Sequence, residues 1–442
     1  MNIDKYSIKK ILIIIFAVAI SLRIVVSVVY FQKCGTAEFA DDWCYLSYAR
    51  NVLEQGIFVP DISKLPGICH LVGPAFPIIV AGTFAIFGEH YWPTFLLNSI
   101  VSSLICIFLF YFGKSLFYKK VGLLCAGWSI FYVLYIWFIP RILKEVWLAL
   151  LFPLFIYLFI AESQRLKISI KSLLHILLFS FLIHMDERFI TYFPFLLISL
   201  LVLDSVSWKN GLKKAVLFFS LTVVLMIPWS IRNYYVYQRL IILTERTSVI
   251  TDRLFGYDMD KIVFHKMMKK WVDSEITEGQ IDSILAGEKV PHLPGWKFKG
   301  LQQGLGMGLR PHKYNLYERL NAGFREYWRP FRFSGSYIDE GYRFEKPWSL
   351  RHNVSTIITY GLLLPFFIVG AFLILKNRNK IGVFIILIII IHMLIHVVLT
   401  FVRFRYRTHI DAFIIVIAFY GLTEISSIMS RRFRKRLPAI SS

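Results

Sequence analysis

Residues 11–56 read ILIIIFAVAISLRIVVSVVYFQKCGTAEFADDWCYLSYARNVLEQG. Two kinds of sequence meet in this stretch. From Ile11 to Phe31 the chain is almost wholly apolar and as long as the roughly 20 residues a helix needs to cross a bilayer. Its one charge is Arg23. The run is too long for a cleavable signal and lacks a small-residue cleavage site, so it reads as a retained span. A polar segment follows at once, opening on two adjacent carboxylates, Asp41 and Asp42. Adjacent carboxylates repel, which suits one of them to act as a base or metal ligand. A helix N-cap by either residue reads the pair equally well. Beyond the pair, Tyr45, Tyr48, Ala49 and Val52 share one helical face and suit a helix lying on the membrane.

The rest of the chain has the same character. Of 442 residues, 57% are hydrophobic and 18% charged, and the mean hydropathy is +0.59. Soluble domains carry about 45–50% apolar and about 25% charged residues, so this is an all-α polytopic membrane protein. Disordered, collagen-like and disulfide-scaffold classes are excluded. The net charge of +22 would suggest nucleic acid in a soluble protein. In a membrane protein it marks basic cytoplasmic loops, and no nucleic-acid partner is expected. The five cysteines show no metal spacing; Cys34, Cys44 and Cys69 share one outer segment, where a disulfide is permitted but not required.

Apolar segments fall at 11–31, 68–88, 92–112, 121–139, 145–161, 171–184, 189–203, 214–231, 354–375, 381–401 and 408–427. If all of them crossed, Lys114/Lys119/Lys120, Arg165/Lys167/Lys171 and Lys209/Lys213/Lys214 would lie outside, against the positive-inside rule. Pro74 and Pro77 make 68–88 a poor straight span. With that segment interfacial or re-entrant, every basic loop falls inside, giving about ten crossings with both termini cytoplasmic. Fourteen of the 28 acids lie in the loop 232–352, and ten of the others then fall on the outer face. That accumulation points to an outer-face site. The expected organisation is an N-terminal catalytic membrane module (1–231, with its first outer loop at 32–91), a large outer loop (232–352), and C-terminal helices with a basic tail (353–442).

Several further residues suit such a site. Arg141, Lys144 and Glu145 follow the fourth apolar segment, and His184-Asp186-Glu187-Arg188 forms a polar knot between two others. An ordinary outer turn would also explain Asp186 and Arg188. Pro228-Trp229-Ser230-Ile231-Arg232-Asn233 marks the exit into the large loop, and Arg403-Phe404-Arg405-Tyr406-Arg407 precedes Asp411. Outer-face arginines oppose the orientation rule and suit a phosphate partner, which guanidinium binds bidentately. Arg23 within the first span is either functional or snorkelling to the interface. His392 and His396 share a helix face without an evident third ligand, so they read as packed histidines. In the large loop, Gly304, Gly306 and Gly308 read as a turn, Thr277–Gln280 as a capping box, and 313–328 as an aromatic helix resting on the membrane or the bundle.

The order Asp41-Asp42-x-x-Tyr45-x-x-x-Ala49, then Gly56, resembles the first outer loop of GT-C glycosyltransferases, especially the branch of protein O-mannosyltransferases and lipid A aminoarabinose transferases. Pro74/Pro77, Phe87-Gly88, Asn98, Glu145 after a Pro-Arg turn, the Pro-Trp-x-x-Arg-Asn exit and Arg405-Tyr406-Arg407 follow in the same order. The second acid is Asp42 where Glu is commoner. The proline expected after Arg-Tyr-Arg is absent, and no carbohydrate-binding module is visible in 232–352.

The resemblance implies a helical GT-C bundle and transfer of a hexosyl or pentosyl group from a polyprenyl-phosphate donor. The acceptor would be a lipid, glycan or protein at the outer face of a bacterial or archaeal cell membrane. Asp41 and Asp42 become the catalytic candidates. Arg405, Arg407, Arg232 and Arg23 become donor-phosphate candidates, supported by Glu145, Arg188 and Tyr45. No cofactor is expected, and the branch implies no metal, although the acid pair leaves a divalent cation open. The competing class is a transporter or flippase of lipid-linked glycans; it would favour internal repeats and midplane charges, and neither is visible.

Overall fold

The computed structural model describes residues 5–34, 41–58, 72–165, 170–203, 208–237, 241–244, 316–330, 350–399 and 404–436. The side chains of some helix-end residues, including Asp41, lie outside the described set. So do most of the loop 232–352, with its glycine run and capping box, and Cys69. Among the described residues the fold is helical and contains no strand.

The first helix, α1 (Lys5–Cys34), lies along α4 (Tyr91–Leu116), packing Leu12, Ile15 and Ala19 on Cys106, Phe110 and Ala126. Between them come α2 (Asp41–Gln55) and α3 (Ala75–Phe87). At 13 residues and about 1.5 Å per residue, α3 is too short to cross a bilayer, as the two prolines suggested. Pro77 is tolerated there because it falls in the first turn, where no helical N–H partner is lost.

The segment expected to cross at 121–139 is a helix, α5 (Lys119–Ser129), a break, and one turn, α6 (Val133–Trp137). It runs back along α4 from Gly122, where an added Cβ would stand 2.3 Å from the Phe110 carbonyl oxygen, to Ser102, whose Oγ donates to Tyr135 O at 2.6 Å. The bundle continues through α7 (Glu145–Ser163), α8 (Ile170–Met185), a 3-10 turn (Glu187–Tyr192), α9 (Phe193–Leu203) and α10 (Trp208–Tyr237). After α11 (Leu316–Trp328) come α12 (Leu350–Thr356), a π-turn (Ile357–Gly361) and α13 (Leu363–Lys376). The chain ends with α14 (Lys380–Leu394), a π-turn (Ile395–Leu399), a 3-10 turn (Phe404–His409) and α15 (Asp411–Arg436).

Seven described stretches are long and apolar enough to cross a membrane: Ser7–Gln32, Tyr91–Leu116, Glu145–Ser163, Trp208–Tyr235, Asn353–Lys376, Lys380–Val398 and Asp411–Ser430. The other three expected crossings are built from the shorter pieces α5/α6, α8 and α9. One large core joins them, rich in phenylalanine: Phe155 stacks on Phe179 at 4.9 Å, and Phe159 and Phe195 stack on Phe384 at 5.9 and 5.6 Å.

The break after α5 explains Arg23. A helix end leaves carbonyls without intrahelical partners. Arg23 is fully buried and donates to Ser129 O at 3.1 Å, Ile130 O at 3.3 Å and Ser102 Oγ at 2.7 Å. It braces three elements inside the bundle and does not snorkel to the interface. Arg23→Ala is expected to cost on the order of 2 kcal/mol, because charged hydrogen bonds are lost and carbonyls stranded. A lower melting temperature with unchanged donor KM is the expected outcome; a selective KM change would return Arg23 to the site.

The hairpins order the two ends. Lys114, Lys119, Lys376 and Lys380 sit at one end of their helices, where the Tyr118 hydroxyl meets Thr423 Oγ1 at 2.5 Å. At that same end Lys214 Nζ caps α7, donating to Glu162 O at 3.0 Å and Arg165 O at 2.7 Å, a favourable place for a cation. The opposite end carries α2, the turn 138–145, the turn 186–192 and the turn 404–409. Single-cysteine labelling in a cysteine-free background is expected to find position 120 on the cytoplasmic side and position 90 on the other. External labelling at 120 would invert the arrangement.

Candidate active site

The opposite end concentrates charge that cannot be left unpaired. Asp42, in the first turn of α2, is fully buried. Arg141 binds it through Nε at 2.8 Å and through a second guanidinium nitrogen. These residues are 99 positions apart. The turn that delivers Arg141 is held by Asn98 on α4. Asn98 Nδ2 donates to Ile139 O at 3.1 Å and Arg141 O at 3.0 Å, and its Oδ1 accepts from Trp147 Nε1 at 2.9 Å. One buried amide thus fixes the turn and the start of α7 together. Asn98→Ala is expected to reduce turnover about tenfold or more through misplacement of Arg141 and Glu145, with a smaller effect on donor KM.

Glu145 opens α7 and is 3% exposed. Its Oε1 pairs with Arg405 Nε at 3.3 Å, and its Oε2 has no hydrogen-bond partner among the described residues. Asp186 is also fully buried. It caps the 3-10 turn by accepting from the Arg188 backbone N–H at 3.1 Å, and it pairs with the Arg188 guanidinium and with Lys144 Nζ at 3.0 Å. Burial alone would raise the Asp186 carboxyl, but Arg188 and Lys144 overcome it and hold the group well below the usual carboxylate range. Its stabilising charge is therefore present at neutral pH and is lost only as pH falls below that range. Arg188 lies 3.8 Å over the Tyr406 ring, with Arg405 5.4 Å from the same ring. Three carboxylates and four cations from α2, α7, two turns and the loop before α7 meet at one end.

The structure separates the remaining candidates. Arg407 is fully buried; it pairs with Asp411 at 3.1 Å, donates to Tyr327 O and Arg329 O at 3.1 and 3.2 Å, and stacks 3.4 Å from the Tyr360 ring. It ties α11 to α15 as a buried brace. Arg232, near the end of α10, lies 4.9 Å over Trp229 and 5.6 Å from the Phe58 ring, and it donates to Phe58 O. Tyr45 is buried edge-on to Phe76 at 5.0 Å, so its described role is to join α2 to α3. The side chain of Asp41 lies outside the described residues. Cys44 is buried, and the other two cysteines of that segment, Cys34 and Cys69, lie outside the residues whose side chains are described.

The histidines differ from expectation. His392 and His396 do have a third companion, His409, and ligand atoms of all three lie within 4.8 Å of one another. The sequence hid this because His409 belongs to a separate 3-10 turn, reached only after the chain has left α14.

No family model matches the chain, and no curated protein matches it in sequence. Solved structures match it in fold. The Archaeoglobus fulgidus oligosaccharyltransferase without ligands superposes with a TM-score of 0.59 at 13% identity, covering 99% of this chain and 53% of that one. The oligosaccharyltransferase AglB of the same organism, in complex with an inhibitory peptide and a dolichol-phosphate, gives 0.58 at 13% identity over 100% and 53%. The form tethered to an acceptor peptide with an NVT sequon gives 0.56 at 13% identity over 99% and 51%. The chain thus spans about half the length of the enzyme it resembles. Its membrane helices have the GT-C fold.

Proposed function

We propose that this protein is a membrane glycosyltransferase that moves a hexosyl or pentosyl group from a polyprenyl-phosphate donor to a lipid, glycan or protein acceptor. The observation that carries the reading is the convergence of Asp42, Glu145 and Asp186 with Arg141, Lys144, Arg188 and Arg405 at the end of the bundle opposite the basic loops. By the charge rule that end faces away from the cytoplasm. The dolichol-phosphate bound by the archaeal oligosaccharyltransferase supports a lipid-phosphate donor, and its acceptor peptide supports a protein among the acceptors.

The chemistry balances with these residues. Asp41, beside the Arg141-bound Asp42, takes the proton of the acceptor hydroxyl as its oxygen attacks the anomeric carbon. A C–O bond forms to the acceptor, and the bond from the anomeric carbon to the phosphate oxygen breaks. The electron pair leaves with polyprenyl phosphate, whose developing charge Arg405 and Arg232 stabilise. A phosphate leaves as a weak base, so no general acid is needed, unlike the paired carboxylates of glycosidases. In-line attack inverts the anomeric configuration. Asp42 bound to Arg141 is the poorer base, since a paired guanidinium favours its ionised form.

A flippase reading competes less well, because the buried charge lies at one end and not near the midplane. Mass spectrometry of lipid-linked and protein-linked glycans in a deletion strain is the test. Loss of one glycosyl residue with accumulation of its polyprenyl-phosphate form supports transfer. An unchanged glycan set, or lipid-linked sugar trapped on the cytoplasmic side, contradicts it.

A further inference from the structure

We propose that His392, His396 and His409 form a binding site for a divalent transition metal of the zinc class, separate from the carboxylate cluster. The three side chains are 1%, 2% and 2% exposed. Their candidate ligand atoms lie within 4.8 Å of one another, whereas a tetrahedral zinc with nitrogen ligands at about 2.0–2.1 Å holds them about 3.4 Å apart. Small rotations of the rings close that difference. His409 Nε2 is buried without a hydrogen-bond partner among the described residues, a costly state for a ring nitrogen unless something takes its lone pair or proton.

The surroundings are those of a ligand set. Tyr327 Oη is 2.8 Å from His392 Nδ1. An Nδ1–H donated to that oxygen leaves Nε2 of His392 as the metal ligand, the outer-shell arrangement metal-bound histidines use. His396 stacks on Tyr406 at 4.8 Å, which fixes its ring plane. The π-turn Ile395–Leu399 begins between His392 and His396 and replaces the ordinary helical register there. Neutral imidazole suits zinc, nickel, copper and cobalt, and three such ligands leave a fourth position for water.

The site joins two elements that the chain connects only through residues 400–403. It pins the 3-10 turn Phe404–His409 to the end of α14, and that turn carries Arg405. The metal is therefore a structural clasp beside the charged cluster, and it does not depend on the transferase reading.

The test uses full-length protein purified through a tag without histidines and freed of loosely held metal. Zinc content is read by mass spectrometry, and the coordination sphere by X-ray absorption at the zinc edge. Wild type is expected to retain about one zinc per chain with imidazole nitrogens at about 2.0–2.1 Å. Cobalt substitution should give the visible absorption of a four-coordinate ion. His409→Ala should lose the zinc and the cobalt bands, whereas His90→Ala, an exposed histidine, should keep both. If His409→Ala does not fold, the wild-type absorption edge and cobalt spectrum decide alone. Wild-type protein without zinc and without cobalt bands, or equal zinc in wild type and a folded His409→Ala variant, overturns the proposal.

Discussion

Asp41→Asn is expected to lower transfer by roughly two to four orders of magnitude in expression-matched membranes, the usual worth of a general base. Asn keeps the shape of Asp and still caps a helix N-terminus, so a residue that serves only as a cap predicts little loss. Asn cannot take the acceptor proton. Asp42→Asn is expected to leave measurable activity, with a second effect of its own. It removes the buried charge that Arg141 binds through two nitrogens, so stability should fall along with rate. Rate assays and melting temperatures measured together separate the two. A near wild-type rate for Asp41→Asn would end its role as base. A dead but stable Asp42→Asn protein would exchange the two roles.

The second large effect is expected at Arg405. Arg405→Ala removes a charged contact worth about 1.5–3 kcal/mol, so donor use should weaken by roughly one to two orders of magnitude. Some stability should be lost as well, because Arg405 pairs with the buried Glu145, so melting temperatures are measured beside the rates. Lys should rescue only in part, since it lacks the planar fork. Arg407→Ala is expected to behave differently: its buried contacts to Asp411, Tyr327 O and Arg329 O predict loss of stability before any change in KM. Equal, purely kinetic effects of the two alanine variants would place both on the donor.

These arginines show how far the sequence could be read. Run length, paired prolines and the positions of lysine indicated the helices and their two ends, because burial in lipid leaves little freedom to do otherwise. The crossing at 121–139 read as a whole span because hydropathy does not register where a helix breaks, whereas 171–184 and 189–203 are visibly short of the roughly 20 residues a span needs. That break after Ser129 in turn decided Arg23. An intramembrane arginine requires partners, but carbonyls freed more than 100 residues away leave no pattern in the sequence. The acids of the cluster were visible as residues, since Asp42, Glu145 and Asp186 all fell on one face. Their long-range pairing, Asp42 with Arg141, Asp186 with Lys144 and Glu145 with Arg405, was not, for the same reason of distance along the chain. Asn98 had shown itself only as part of an ordered resemblance; its physical work is to tie the turn 139–147 to α4. His409 was passed over because helical spacing relates only residues on one helix, and its companions lie on another element.

The central claim is tested most directly with purified protein, polyprenyl-phosphate donors labelled in the sugar, and a lipid and protein extract from the deletion strain as acceptor. With its own donor, the wild-type protein should move label from the lipid phosphate to an acceptor and release polyprenyl phosphate in equal amount, while Asp41→Asn leaves the label where it was. Label that stays on the lipid with every donor offered, or equal transfer by the Asp41→Asn protein, would contradict the account.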